Sequence, residues 1–174
     1  MHKIIGRTLG LLIILTFVPF VSGAQKADVY SLKSALVYNF AKFTQWPENS
    51  IQTEIEICYF NDLYKPGLTL ISGKKIASYG IRIREIDSIN DVDSCHLIYI
   101  DKSKRDILNR LFLKVKDKPI LTVSDISGFH DEGGMIEITV SDNRLRFLIN
   151  LDSVNKSNLV LSSQMLKLAI AVRR

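Results

Sequence analysis

The chain has few of the residues from which active sites are usually built. Beyond residue 24 its only histidines are His96 and His130, and its only cysteines are Cys58 and Cys95. No serine sits in a G-x-S-x-G elbow, and no Asp, Glu, His or Cys cluster has metal-ligand spacing, so neither a nucleophile-elbow hydrolase nor a metal site has support. "SGFHDEGGM" (127–135) is rich in glycine. It lacks both the Lys-Ser/Thr of a P-loop and the G-x-G-x-x-G of a dinucleotide turn, and its glycines read as turn residues ahead of a hairpin. His96 follows Cys95 in a strand-like run, and strand neighbours point to opposite faces, so these two do not form a thiol–imidazole pair. No catalytic residue, metal ligand or cofactor is assigned.

Long apolar runs are equally scarce. The one candidate, "LLIILTFVPFVSG", follows Lys3 and Arg7 and ends in small residues. A cationic start, an apolar middle and a small-residue end make a secretory signal over residues 1–24, cleaved after Gly23 or Ala24. The run is short for a bilayer and Pro19 interrupts it, which argues against a permanent membrane anchor. Charge of one sign is not concentrated either. Of 23 Lys and Arg, two lie in the leader, and the rest face 18 Asp and Glu. That balance is too mild to indicate nucleic acid. Export to an oxidising compartment favours a Cys58–Cys95 disulfide; the alternative is two buried free thiols acting as small hydrophobes.

What is present is strong periodicity across residues 25–174. From Asp28, a candidate N-cap, Val29, Leu32, Leu36, Phe40, Phe43 and Trp46 form one apolar helical stripe, ended by Pro47. Asn39 falls inside that stripe. Tyr30, Val37, Tyr38 and Ala41 lie on another face, which is apolar enough to meet a partner or a second subunit. "EIEICYF" (54–60) and "YGIRIREI" (79–86) alternate as strands, with a short helix predicted over residues 63–71 and closed by Gly73. "CHLIYI" (95–100) and "PILTVSDI" (119–126) are continuous apolar runs, the mark of strands covered on both sides. Between them "KSKRDILNRLFLKVKDK" predicts a basic helix with seven Lys and Arg, its Ile107, Leu108, Leu111, Phe112 and Val115 facing inward. This order predicts an α/β domain with parallel pairing, and no repeat or linker divides it.

The end of the chain predicts a tight hairpin about Ser141-Asp142-Asn143-Arg144. With Ser141 opposite Arg144, Ile136, Ile138 and Val140 share one face with Leu145, Phe147 and Ile149. A turn of helix is expected at Asp152. A last helix after Ser162-Ser163 is expected to bury Met165, Leu168, Ala169 and Val172, with Arg173 and Arg174 at its C-terminus.

Two segments, "SALVYNFAKFTQWP" and "ILTVSDISGFHDEGGMIEITVSDNRLRFLINLDSVNKSNLVLSSQMLKLA", resemble the YfiR family of periplasmic proteins, as do "ICYF" and "CHLIYI" between them. The resemblance implies a single Rossmann-like domain, a mixed sheet flanked by helices with a C-terminal hairpin, often dimeric and without catalysis. It implies a regulator that represses a membrane diguanylate cyclase by binding its periplasmic domain, so that its release raises cyclic di-GMP and favours biofilm. An outer-membrane lipoprotein is a second implied partner. Family members can carry two disulfides; this chain has the pair matching Cys58 and Cys95 and lacks the other. Within that reading, partner contacts are placed on the 128–135 loop and the adjoining hairpin face, at Phe129, His130, Glu132, Met135, Glu137 and Arg146. Two rivals are distinguishable: a periplasmic small-molecule sensor, stabilised by its ligand, and a hydrolase or thiol enzyme dependent on His130 or Cys58.

Overall fold

Alternating apolar residues set the centre of the molecule. The structure, a computed structural model, describes residues 23–60 and 65–174, without the side chains of residues 23–28 and Pro66. The proposed signal segment therefore lies almost wholly outside the described residues. β2 (Glu54–Phe60) and β4 (Tyr79–Ile86) form where alternation predicts them, and they pair in parallel with Ile57 opposite Ile83. On the other side of β2 come β5 (Leu97–Ile100), β6 (Leu121–Ser124) and β7 (Ile136–Ser141), each parallel to its neighbour. The chain thus lays down β4 on one side of β2 and then crosses to build outward on the other. That is a doubly wound sheet whose order reverses between β2 and β5.

β8 (Arg144–Asn150) returns antiparallel to β7. One edge is closed by β10 (Ala171–Arg173), parallel to β8, and the other by β3 (Lys75–Ile76), antiparallel to β4. The hairpin register is the expected one: Ser141 faces Arg144, Val140 faces Leu145, Ile138 faces Phe147 and Ile136 faces Ile149. Asp142 and Asn143 both adopt positive φ, 52° and 56°, which the two-residue turn between right-twisted strands requires.

Each central strand sends alternate side chains into two separate cores. Leu97 and Tyr99 join Ile55, Ile57, Tyr59, Leu121 and Val123 beneath α1 (Gly23–Lys42). Ile98 and Ile100 join Cys58, Phe60, Val92 and Cys95 beneath α3 (Leu108–Val115). All four side chains of β5 are buried, as its unbroken apolar run implies. Burying each such Ile or Leu is worth about 1.5–3 kcal/mol. Cys58 and Cys95 are bonded, with Cα atoms 5.9 Å apart, and the bridge ties β2 to the entry of β5. The free-thiol alternative is thereby removed.

Several local expectations are corrected. Helix α1 begins upstream of Asp28, which is an interior residue and not the N-cap. Its buried row is Ser34, Val37, Phe40, Ala41 and the following Thr44, whereas Val29 and Leu32 are exposed. The helix is therefore rotated from the expected stripe, and Asn39 escapes burial by lying on its exposed side. Apolar residues on both faces are compatible with either rotation, and the one adopted seats Phe40 against Phe147 of β8, ring centroids 5.0 Å apart. α1 also stops at Lys42 instead of Trp46. There β1 (Thr44–Gln45) pairs with β9 (Val160–Leu161), and Ser162 N–H donates to Phe43 O at 2.9 Å, drawing the chain into extended geometry before Pro47 acts.

The short second helix is α2 (Lys65–Thr69), so the start of the 63–71 prediction lies outside the described residues. The basic helix breaks: Lys102–Ile107 is a 3₁₀ segment with Lys104 outside helical geometry, and only then does α3 begin. α4 (Leu151–Lys156) forms at the expected place, capped by Asn150, whose side chain accepts from Ser153 N–H. The last helix, α5 (Ser163–Leu168), is one and a half turns long and buries Met165 but not Leu168. Ile170 N–H donates to Phe147 O at 3.0 Å, and the chain ends as β10. The free edge of β8 offers ladder hydrogen bonds that a continued helix would leave unmade. Arg173 consequently lies in a strand, not at a helix C-terminus.

Candidate partner-binding surface

The glycine-rich turn after β6 is rigid for reasons written in its residues. Ser124 Oγ donates to Ile100 O and accepts from Ile126 N–H, which anchors the start of the turn. Asp131 and Glu132 N–H both donate to Gly128 O, and Gly134 N–H donates to Phe129 O at 2.9 Å. Gly133 adopts φ +117°, and a Cβ on Gly134 would stand 2.1 Å from the Phe129 ring. Only glycine fits that second position. Phe129 is fully buried and packs against Phe112 of α3, ring centroids 5.5 Å apart.

Four side chains tie this turn to the rest of the molecule. His130 Nδ1 donates to Glu137 Oε2 at 2.6 Å, and Glu137 is buried in β7. Asn150 Nδ2 donates to His130 O at 2.7 Å, so the residue that caps α4 also pins the turn. Arg173 of β10 donates to Asp131 O at 3.0 Å. Arg105 pairs with Glu132 and donates to Ser127 O at 2.9 Å. The residues selected from sequence therefore divide. His130 and Glu137 are joined to each other, Phe129 and Met135 are core, and Glu132 and half-buried Arg146 remain accessible. The segment is a polar turn with Phe129 tucked beneath it, so Phe129 is not available to a partner.

The other histidine is spent on structure. His96 Nδ1 accepts from Glu56 N–H at 2.9 Å, and Nε2 stands 3.0 Å from Ser50 O. Those partners select the Nε2–H tautomer. Trp46 Nε1 donates to His96 O and its ring meets the imidazole edge-on, 6.4 Å between centroids. Cys95 points into the core under α3 while His96 points to the Trp46 side, as strand alternation requires. Arg84 reaches from β4 to Glu56 of the neighbouring β2 and lays Nη2 3.4 Å from Cys95 Sγ and 3.6 Å from Cys58 Sγ. Sequence reading missed this contact, although Arg84 alternates with Ile83 and so points toward the bridge face.

A second feature was also missed. Val29, Leu32 and Leu36 of α1 and Val140 and Leu145 of the hairpin line an open, largely apolar groove of about 550 Å³. Leu32 is 51% and Val140 66% exposed. The hairpin alternation continues past the end of the core, so its outermost apolar pair, Val140 and Leu145, reaches beyond the cover of α1. Asn39, Asn143 and Arg144 give the groove its polar rim.

Among the described residues no group of three or more His, Cys, Asp or Glu could hold a metal ion, and no helix is long and apolar enough to cross a membrane. The architecture defines a doubly wound α/β domain with a braced turn and an exposed apolar groove on its hairpin side. Residues 30–170 match the family described as DUF4154, YfiR/HmsC-like, and the chain belongs to that family. No curated protein matches it. Among solved structures, an ABC domain in complex with L-Trp from Streptococcus pneumonia is similar at a TM-score of 0.47 and 11% identity. The similarity covers 68% of this chain and 56% of that one, so the chain spans little more than half of that protein's length.

Proposed function

We propose that this protein is a periplasmic, non-catalytic regulator that represses an inner-membrane diguanylate cyclase by binding the cyclase's periplasmic domain. Membership of the YfiR/HmsC-like family supports the class of function. The observation that carries a binding role is the exposed groove between α1 and the hairpin, where Leu32 and Val140 stand in solvent. Surface apolar residues clustered in a concave strip with a polar rim are the usual anatomy of a protein contact. Neither Glu132 nor Arg146 lines this groove, so it is a contact surface distinct from the turn and hairpin face chosen from sequence.

Repression by binding requires that the protein hold one state of the cyclase more tightly than the other, since equal affinity shifts nothing. The test is affinity capture from solubilised inner membrane with the mature protein, bridge intact or both cysteines changed to Ser. Recovery of a diguanylate cyclase by the intact form supports the proposal. Failure of both forms to recover one, while the proteins remain folded, overturns it.

A further inference from the structure

On the α3 side of the sheet, beyond the carboxyl ends of β2 and β4, lies an open cleft of about 630 Å³. Phe60 is the last residue of β2, and Asp87 follows the last residue of β4. Lys104 comes four residues after the end of β5. The cleft therefore sits where the carboxyl ends of three parallel strands meet at the reversal of strand order, the position at which open α/β sheets take ligands. Its volume is that of a small-molecule site.

The lining has two chemistries. Phe60, Ile89, Ile107 and Leu113 supply apolar surface, and Leu113 is 77% exposed, with no cover on its outward side. Lys104, Arg110 and Lys114 stand around that surface, against one lining carboxylate, Asp87. Lys114 is already paired with Asp93 at 3.0 Å. Lys104 and Arg110 have no ion-pair partner among the described residues. The cleft at the opposite end of the sheet differs: its Arg82 is paired with Glu54 and Glu56, and its Lys118 with Asp93. Uncompensated positive charge beside exposed apolar surface is thus a property of the carboxyl-end cleft.

We propose that this cleft binds an amphipathic anion, its carboxylate or phosphate head held between Lys104 and Arg110 and its hydrocarbon or aromatic body laid on Phe60, Ile107 and Leu113. Arg offers a planar fork of donors and Lys a compact charge, which together suit an oxyanion head. The same chemistry is supplied by a free amphipathic acid or by an anionic phospholipid. The site is separate from the α1–hairpin groove and does not rest on the cyclase reading.

The test is titration of the mature protein with the fluorescent anion anilinonaphthalene sulfonate, followed by competition. Saturable binding is expected, weakened at least tenfold by the paired changes Lys104→Ala and Arg110→Ala, and unchanged by Lys102→Ala. Displacement by decanoate but not by decanol or inorganic phosphate identifies a free acid as a sufficient ligand. Displacement only by vesicles of phosphatidylglycerol, and not by those of phosphatidylcholine, identifies a lipid. Binding that ignores the Lys104/Arg110 changes, or is lost instead on Leu32→Ser in the other groove, overturns the proposal. Equal displacement by decanol and decanoate overturns it as well.

Discussion

His130 and Glu137, seven positions apart in sequence, meet at 2.6 Å and fasten the glycine-rich turn to the strand that follows it. Glu137 is buried, and its Oε2 lies 3.4 Å from His130 N–H as well. Removing the carboxylate takes the acceptor from both of these part-buried donors. Glu137→Ala is expected to lose about 1.5–3 kcal/mol, the range for hydrogen bonds to a charged group. Urea unfolding measures this, and a midpoint equal to wild type would show that the turn does not depend on the contact.

Gly134 and Gly73 make opposite cases. A Cβ at Gly134 overlaps the Phe129 ring at 2.1 Å, and that ring is fully buried against Phe112. At Gly73, φ is +74° and nothing lies within 4 Å of the added carbon. Gly73→Ala should therefore cost only the left-handed backbone penalty, about 1–2 kcal/mol. Gly134→Ala should cost more, because overpacking and turn displacement add about 1–3 kcal/mol or above. Thermal unfolding of the two variants ranks them; the reverse order would refute the packing argument.

The Cys58–Cys95 bridge closes a separation of 37 residues between neighbouring strands. Its loss through paired Ser changes should lower stability by roughly 3–4 kcal/mol on a chain-entropy basis. The fold should persist, since the strands it joins are also paired by their ladder and buried in a common core. Circular dichroism with denaturant titration checks both halves of this expectation.

Much of the sheet was legible in the residues, and the helices less so. The alternation of Ile55, Ile57 and Tyr59, or of Ile136, Ile138 and Val140, admits one register, because a slip by one residue inverts every face. Helix α1 admitted two rotations because Val37 and Ala41 are as apolar as Val29 and Leu32. The choice is made by the sheet it packs on, which no local pattern records. The tail misled for a related reason: Met165, Leu168, Ala169 and Val172 fit a helical period, yet the free edge of β8 claims residues 171–173. At the candidate surface, composition marked out the turn but not that Phe129 turns inward. The groove depends on which apolar residues the core fails to cover, a property of the packed structure.

Asp93 predicts a pH dependence. Hydrogen bonds from Lys118 and then Lys114 hold its carboxyl below its ordinary value of 3.8. A depressed carboxyl contributes stability above that ordinary value and loses it as pH falls through the depressed one. Asp93→Asn should therefore be less stable than wild type at neutral pH, and the two should converge in strong acid. Because the carboxylate is exposed, the gap should also narrow with salt. Parallel denaturation curves at pH 7 and in acid measure it; a gap that widens in acid would contradict the assignment.

The groove carries the functional proposal, so its two most exposed large apolar residues are the place to strike. Leu32→Asp and Val140→Asp put charge where partner burial is expected, at positions already open to solvent, so the fold should be retained. The decisive measurement is cellular cyclic di-GMP after deletion of the gene, with restoration by wild type or by the double variant. The expected result is a rise on deletion, reversed by wild type and not by Leu32→Asp/Val140→Asp expressed at the same level. An unchanged cyclic di-GMP level on deletion would contradict repression of a diguanylate cyclase outright.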